Sequence, residues 1–231
     1  MNSILKFLAA AAASLLLMAH TNAAGLANLS NKDAAAGLKE ALAKGSQAAV
    51  ATLGKQDGFL GNERVKIPLP ESLHKVEGMM RGLGMGKYAD ELVSTMNHAA
   101  EAAVVEAKPL LVNAVKNMSV QDAKGILTGG QDAATQYFKR TTSDALAAKF
   151  LPVVAKATQK VKLADKYNEF AGKGAKFGLV DAKDADLNSY VTRKALDGLF
   201  LMIAEEEKKI RQDPVGAASG IISKVFGAIG K

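Results

Sequence analysis

Between residues 87 and 117, apolar or small side chains return at every third or fourth position: Tyr88, Leu92, Met96, Ala99, Ala103, Ala107, Leu110 and Ala114. That step lays one face along an α-helix and cannot lay one along a strand. The middle of the run, AAEAA at 99–103, is small, so a neighbouring helix can approach closely. Pro109 lacks an N–H and clashes with the preceding turn, so the run is expected to kink or split there. Nowhere does the sequence show the alternation of Val, Ile, Thr and aromatic residues that a half-buried strand needs. The expectation is an all-α fold, a single-domain multi-helix bundle with irregular connections.

Other segments fill in that bundle. Ser30 and Asp33 are spaced as a helix-opening capping pair, and Gly54 suits the stop of the helix they begin. Asp57-Gly58 and Gly61-Asn62 mark turns. Residues 65–70 must be extended, because Pro68 and Pro70 each push their predecessor out of the α region. Pro70 then opens a helix bearing Leu73, Val76, Met79, Met80 and Leu83. Ser119 and Asp122 repeat the capping spacing, and Thr128-Gly129-Gly130 ends the short helix that follows. A helix is expected over 131–150, a bend at Leu151-Pro152, and a resumed helix to Val161. The Lys-rich stretch 149–183 reads as the least ordered, with its AGKGAKFG centre a loop. A last long helix spans 186–212, and its centre, LFLMIA at 199–204, is apolar on every side and should be deeply buried. Glu205 with Lys209, and Glu207 with Arg211, have the favourable order for helical ion pairs. An amphipathic tail follows over 215–229.

The first 24 residues read differently from the rest. Lys6 precedes an uncharged apolar run at 7–19, FLAAAAASLLLMA, and small residues follow to Ala24. That order is a cleavable export signal. The run falls short of the roughly 20 residues that span a bilayer. Residues 1–24 are therefore expected to be a signal peptide and 25–231 one helical domain, exported, periplasmic and soluble. The chain has no Cys, so it carries no lipidated cysteine and is not a lipoprotein. Nor can disulfides staple it, and the fold must stand on its own core. The net charge is +7 at pH 7. Loss of Lys6 leaves about +6, which favours anionic partners and also serves solubility.

Four segments carry a family resemblance: DGFLGNERVKIPLPESL at 57–73, MNHAAEAA at 96–103, DAKGILTGGQDAATQYF at 122–138 and DLNSYVTRKALDGLFLMIAEEEKKIRQDP at 186–214. Together the chain is similar to the bacterial DUF4197 family over nearly all of its mature length. The resemblance implies an exported helical protein and brings no activity with it. At His98 the chain departs from the family pattern, in which Arg or Lys is more usual, so the resemblance implies no ligand or proton-shuttle role for His98.

The residues that could carry chemistry are few. His98 and Glu101 face one way on a helix, but a zinc site needs three or four ligands. Without Cys, the second His of the mature chain, His74, would have to join them. No metal and no cofactor is expected. Asn97 and Glu101, four apart in an apolar stretch, suggest a buried hydrogen-bond network or the polar foot of a ligand pocket. The TGG turn before Gln131 could offer N–H groups to an anion, but Asp132 sits there and is expected to cap its own helix. Gly82, Gly84 and Gly86 lack a preceding strand and make no nucleotide fingerprint. Of Glu205, Glu206 and Glu207, Glu206 is out of phase with the outer two and could turn inward. The candidate polar cluster is Asn97, Glu101, Asp122, Asp132, Tyr137 and Glu206. The expected function is non-enzymatic binding of a lipid or other apolar ligand, or of an envelope protein partner. Peripheral contact with an anionic membrane is compatible with it. The basic stretch 149–183 has Lys without Arg and few aromatics, which argues against specific nucleic-acid binding. The alternative is a periplasmic hydrolase using Glu101, Asp122, Asp132 or Glu206 as acid and base.

Overall fold

A computed structural model describes residues 31–178 and 180–213, and their regular structure is entirely helical. The helices are α1 (Asn31–Leu53), α2 (Glu71–Gly82), α3 (Gly86–Val104), α4 (Ala107–Asn117), α5 (Val120–Thr128), α6 (Ala133–Thr158), α7 (Lys162–Lys176) and α8 (Leu187–Gln212). A 3₁₀ turn, Ala182–Asp184, precedes α8. The fold is the all-α bundle that the apolar spacing predicts. The export segment at 1–24, the cap at Ser30 and the tail at 215–229 lie outside the described residues.

At the centre α8 packs along α6, and α3 crosses both. α1 closes the other side against α8 and α4. Each helix contributes its apolar stripe: Leu38 and Leu53 from α1, Leu92 and Met96 from α3, Phe138, Leu146 and Phe150 from α6, Leu199 from α8, all without solvent access. Full burial of one such side chain stabilises by roughly 1.5–3 kcal/mol. The small stretch of α3 is used as its composition predicts: Ala99, Ala100 and Ala103 are buried where α6 and α8 close on it. No helix of the described residues is long and apolar enough to cross a membrane.

The extended segment before α2 behaves like a strand with no sheet. Val65, Ile67 and Leu69 are buried while Lys66 and Pro68 face outward. Its backbone needs hydrogen-bond partners, and a helix side chain supplies them, as described below.

Several expectations change on contact with the structure. The run 87–117 does split, but at Val105-Glu106, which puts Pro109 in the first turn of α4, where a missing N–H costs nothing. Pro152, expected to bend the chain, sits inside a helix that continues to Thr158. Phe150 and Val154 are both fully buried on either side of it, so packing holds the helix across the lost hydrogen bond. The glycine-rich centre of the Lys-rich stretch is helical as far as Lys176. Ala164, Tyr167 and Ala171 recur on one buried face, and that burial outweighs the glycine cost of about 1 kcal/mol each. The helix ends at Lys176, and Gly178 just beyond it has a φ of +70 that suits glycine. Leu201 is exposed, so the centre of α8 is not buried all round. In α2 Leu73 is buried, but Met79 and the C-cap Leu83 are exposed, because α2 packs chiefly on α3 and none of the described residues covers its last turn.

Candidate functional site

Asn97 and Glu101 share one face of α3 and are both buried. Asn97 treats the extended segment as a neighbouring strand would. Its Oδ1 accepts from the Ile67 N–H at 2.8 Å, and its Nδ2 donates to the Ile67 carbonyl at 2.9 Å and the Val93 carbonyl at 2.8 Å. One turn along, Glu101 Oε1 accepts from the N–H groups of Phe59 (3.0 Å) and Leu60 (3.2 Å). These two side chains therefore tie the loop 54–67 to α3. From the other side Gly198 of α8 admits that loop: a Cβ there would meet Phe59 Cε1 at 2.7 Å.

The remaining members of the sequence-derived cluster lie on other elements. Ser119 and Asp122 form the expected capping box at the start of α5, with the Asp122 N–H donating to Ser119 Oγ at 3.0 Å and the Ser119 N–H to Asp122 Oδ2 at 3.2 Å. The Ser119 hydroxyl, then its N–H, hold the Asp122 carboxyl below its ordinary range. Tyr137 donates to the Ala114 carbonyl at 2.9 Å. Burial, and secondarily Asp122, push its phenol up. Asp122 and Tyr137 do line one groove, of about 390 Å³, between α4, α5 and α6. Glu206 lines a different one, with Lys44 and Gly45 of α1, and pairs with Lys209 at 2.6 Å.

Asp132 does not cap α6 with its side chain; it accepts from Gln136 instead. The carboxylate at that helix start is Glu207, reaching across from α8. Its Oε1 accepts from the Ala134 N–H at 3.0 Å, and its Oε2 from the Thr135 N–H and hydroxyl, each at 2.9 Å. Arg211 pairs with the same carboxylate at 2.8 Å and donates to the Ile126 carbonyl at 3.0 Å. The anion that the TGG turn could accommodate is thus an internal one, and Glu207, not Glu206, is the glutamate that turns inward. Lys209 pairs with Glu206 and not with Glu205, which pairs with Arg64.

The largest groove of those described, about 600 Å³, opens where the extended segment, the start of α2 and the start of α8 meet. Pro68, Leu69, Glu71, His74, Lys183, Asp184, Tyr190, Arg193 and Lys194 line it. Tyr190 is its wall. The ring is buried, and the hydroxyl donates to the Pro68 carbonyl at 3.0 Å. Burial, and then the charge of Asp184, push its phenol up to about 12. Three and four residues further along α8, the Arg193 guanidinium and Lys194 ammonium stand 5.5 and 5.8 Å from the Tyr190 ring centre. That is the spacing at which helical neighbours meet.

The cations of this groove differ in what they face. Arg193 pairs with Asp184 and donates to the Lys183 carbonyl; Lys183 pairs with Asp181. His74 lies 3.6 Å from Glu77. Lys194, half-buried, has no carboxylate within ion-pairing reach among the described residues. Beside it α2 begins at Pro70, a residue with no side-chain acceptor, so the first-turn N–H groups of α2 have no side-chain cap. One acid, Glu71, stands in that first turn. Tyr190, Arg193 and Lys194 are no part of the polar cluster expected above, although a ring followed at three and four residues by two cations is visible in the sequence. What no spacing shows is that Pro68 and His74, more than 100 residues earlier, complete the wall.

The chain belongs to the family described as protein of unknown function (DUF4197), which matches residues 28–227. No curated protein and no solved structure matches it.

Proposed function

We propose that this protein is a non-enzymatic binding protein of the cell envelope that holds an anionic head group, phosphate or carboxylate, in the groove between α2 and α8. The observation that carries the reading is Lys194. A half-buried ammonium with no carboxylate partner among the described residues, beside a helix start without a side-chain cap, is a place where an anion is stabilised from two directions. The exposed ring of Pro68 and the Tyr190 ring give an apolar lip for the body of an amphiphile. The export pattern of residues 1–24 supports an envelope location.

The hydrolase reading draws less support. It needs two acids converging on one substrate, whereas Glu101, Asp122, Asp132 and Glu206 are each engaged by a different partner: backbone N–H groups, Ser119, Gln136 and Lys209.

Titration calorimetry of the full chain tests the proposal with three probes: inorganic phosphate, a short-chain phosphatidic acid and a short-chain phosphatidylcholine. Phosphate and phosphatidic acid should bind one site each, the latter more tightly if the apolar lip is used. Lys194→Gln should weaken both by roughly 10–100-fold, the worth of one charge-assisted hydrogen bond. Equal binding of the zwitterionic lipid, or unchanged affinity in K194Q, contradicts the reading.

A further inference from the structure

A second constellation lies where the loop that Asn97 and Glu101 anchor meets α3. His98, Glu101 and Asp57 bring one ligand atom each to within 4.8 Å of one another. His98 Nε2 is 3.4 Å from Asp57 Oδ1 and 4.0 Å from Glu101 Oε2. Spacing in the sequence offers only the pair His98 and Glu101; the third group arrives from 41 residues earlier, through the loop.

From these three side chains we infer a binding site for a divalent first-row transition ion, with Zn²⁺ the reference case. Ligands 2.0–2.2 Å from a tetrahedral ion lie about 3.4 Å from one another. One edge of the triangle already has that length; the second, at 4.0 Å, must close by about 0.6 Å, and the third, at most 4.8 Å, by no more than about 1.4 Å. The groups that must move are free to do so: the Asp57 and His98 side chains are each about half exposed, at 53% and 46%. Glu101 is the fixed corner. Its Oε1 is occupied by the Phe59 and Leu60 N–H groups, which leaves Oε2 aimed at His98. Such backbone anchoring of a ligating carboxylate is the outer-shell support that metal sites use.

The donor set decides the class of ion. One imidazole nitrogen and two carboxylate oxygens suit Zn²⁺, Mn²⁺ or Fe²⁺, whereas Ca²⁺ and Mg²⁺ prefer oxygen alone. With a neutral imidazole, two carboxylates converge there with no Lys or Arg in ion-pairing reach among the described residues, and a divalent ion would supply the missing positive charge. Asp57 and His98 face solvent, so the remaining coordination positions fall to water. The ion would join Asp57 of the loop to α3 and so act as a staple on the segment 54–67, adding to the hold of Asn97. Asp57 stands in the left-handed region, with φ of +58, a conformation that Asp tolerates better than most residues.

Calorimetry of the full chain with ZnCl₂ tests this, with thermal unfolding and far-UV circular dichroism as controls for folding. The expected result is one Zn²⁺ per chain and a rise in the unfolding midpoint. His98→Gln and Asp57→Asn should each weaken binding at least tenfold while His74→Gln leaves it unchanged. Co²⁺ substitution should give visible absorption bands that H98Q removes. Absence of saturable Zn²⁺ binding at millimolar metal overturns the inference. So does binding that survives in both H98Q and D57N, since the ion would then sit elsewhere.

Discussion

Replacing Asn97 by Leu separates a structural role from a ligand-binding one. The two side chains have the same branching and the same number of heavy atoms, and the site is fully buried. The Leu variant removes the acceptor for the Ile67 N–H and the donor to the Ile67 carbonyl, at 2.8 and 2.9 Å in the native chain. A buried backbone group left without a partner costs about 1–3 kcal/mol, so the pair predicts a loss of about 2–6 kcal/mol. For a domain of this size that is a fall in the thermal midpoint of at least about 4 °C. Urea unfolding followed by circular dichroism gives the free energy, and hydrogen exchange at Ile67 reports its local origin. Asn97→Asp adds a sign. At neutral pH its second oxygen would face two carbonyls, so the neutral acid is favoured in the fold and its pKa raised above the unfolded value of about 3.9. Stability from the protonated form is then full below that value and lost as pH rises through the folded pKa, so N97D should recover on acidification. A loss in N97L under about 1 kcal/mol, with Ile67 exchange unchanged, would refute the claim that Asn97 holds this segment.

Other perturbations probe neighbouring parts of the argument. Gly198→Ala would bring a Cβ to 2.7 Å from Phe59 Cε1 and 3.3 Å from Val65 Cβ, so the loop must shift; a loss of about 1–3 kcal/mol in urea unfolding is expected. Tyr190, with its phenol at about 12 against an ordinary 10.0, keeps its stabilising share below pH 10 and loses it as pH rises toward 12. Tyr190→Phe should therefore unfold with a shallower alkaline slope than the native chain, by at most about 1.4 kcal/mol per pH unit. Ser119→Ala removes half of a capping box and should cost about 1 kcal/mol, read by the same unfolding assay.

The fold was legible where local chemistry decides it. The apolar steps of α3 and α8, the Ser119 cap and the extended 65–70 segment all follow from residues adjacent in sequence. Pro152 and the glycine-rich end of α7 did not follow, because burial of Phe150, Val154 and Ala171 overrode local propensity. The polar pairs divide in the same way. Asn97 and Glu101 could be recognised as buried from their apolar surroundings, but their partners, the backbone of Phe59, Leu60 and Ile67, lie 30 to 42 residues away. Glu207 and Glu206 differ by one step on α8, and only the approach of α6 decides which of them points inward. The groove at Lys194 was hidden for the same reason: its walls come from two stretches, 68–74 and 183–194, more than 100 residues apart.

If the groove beside Lys194 holds an anion, the place where phosphate settles on the protein shows it. Titration of inorganic phosphate into ¹⁵N-labelled full chain, followed by amide and side-chain resonances, locates it. Saturable shifts are expected at the amides of Glu71 and Ser72, at His74 and at the Lys194 ammonium, with their loss in K194Q. Shifts that do not saturate, or that persist unchanged in K194Q, would contradict anion binding in this groove.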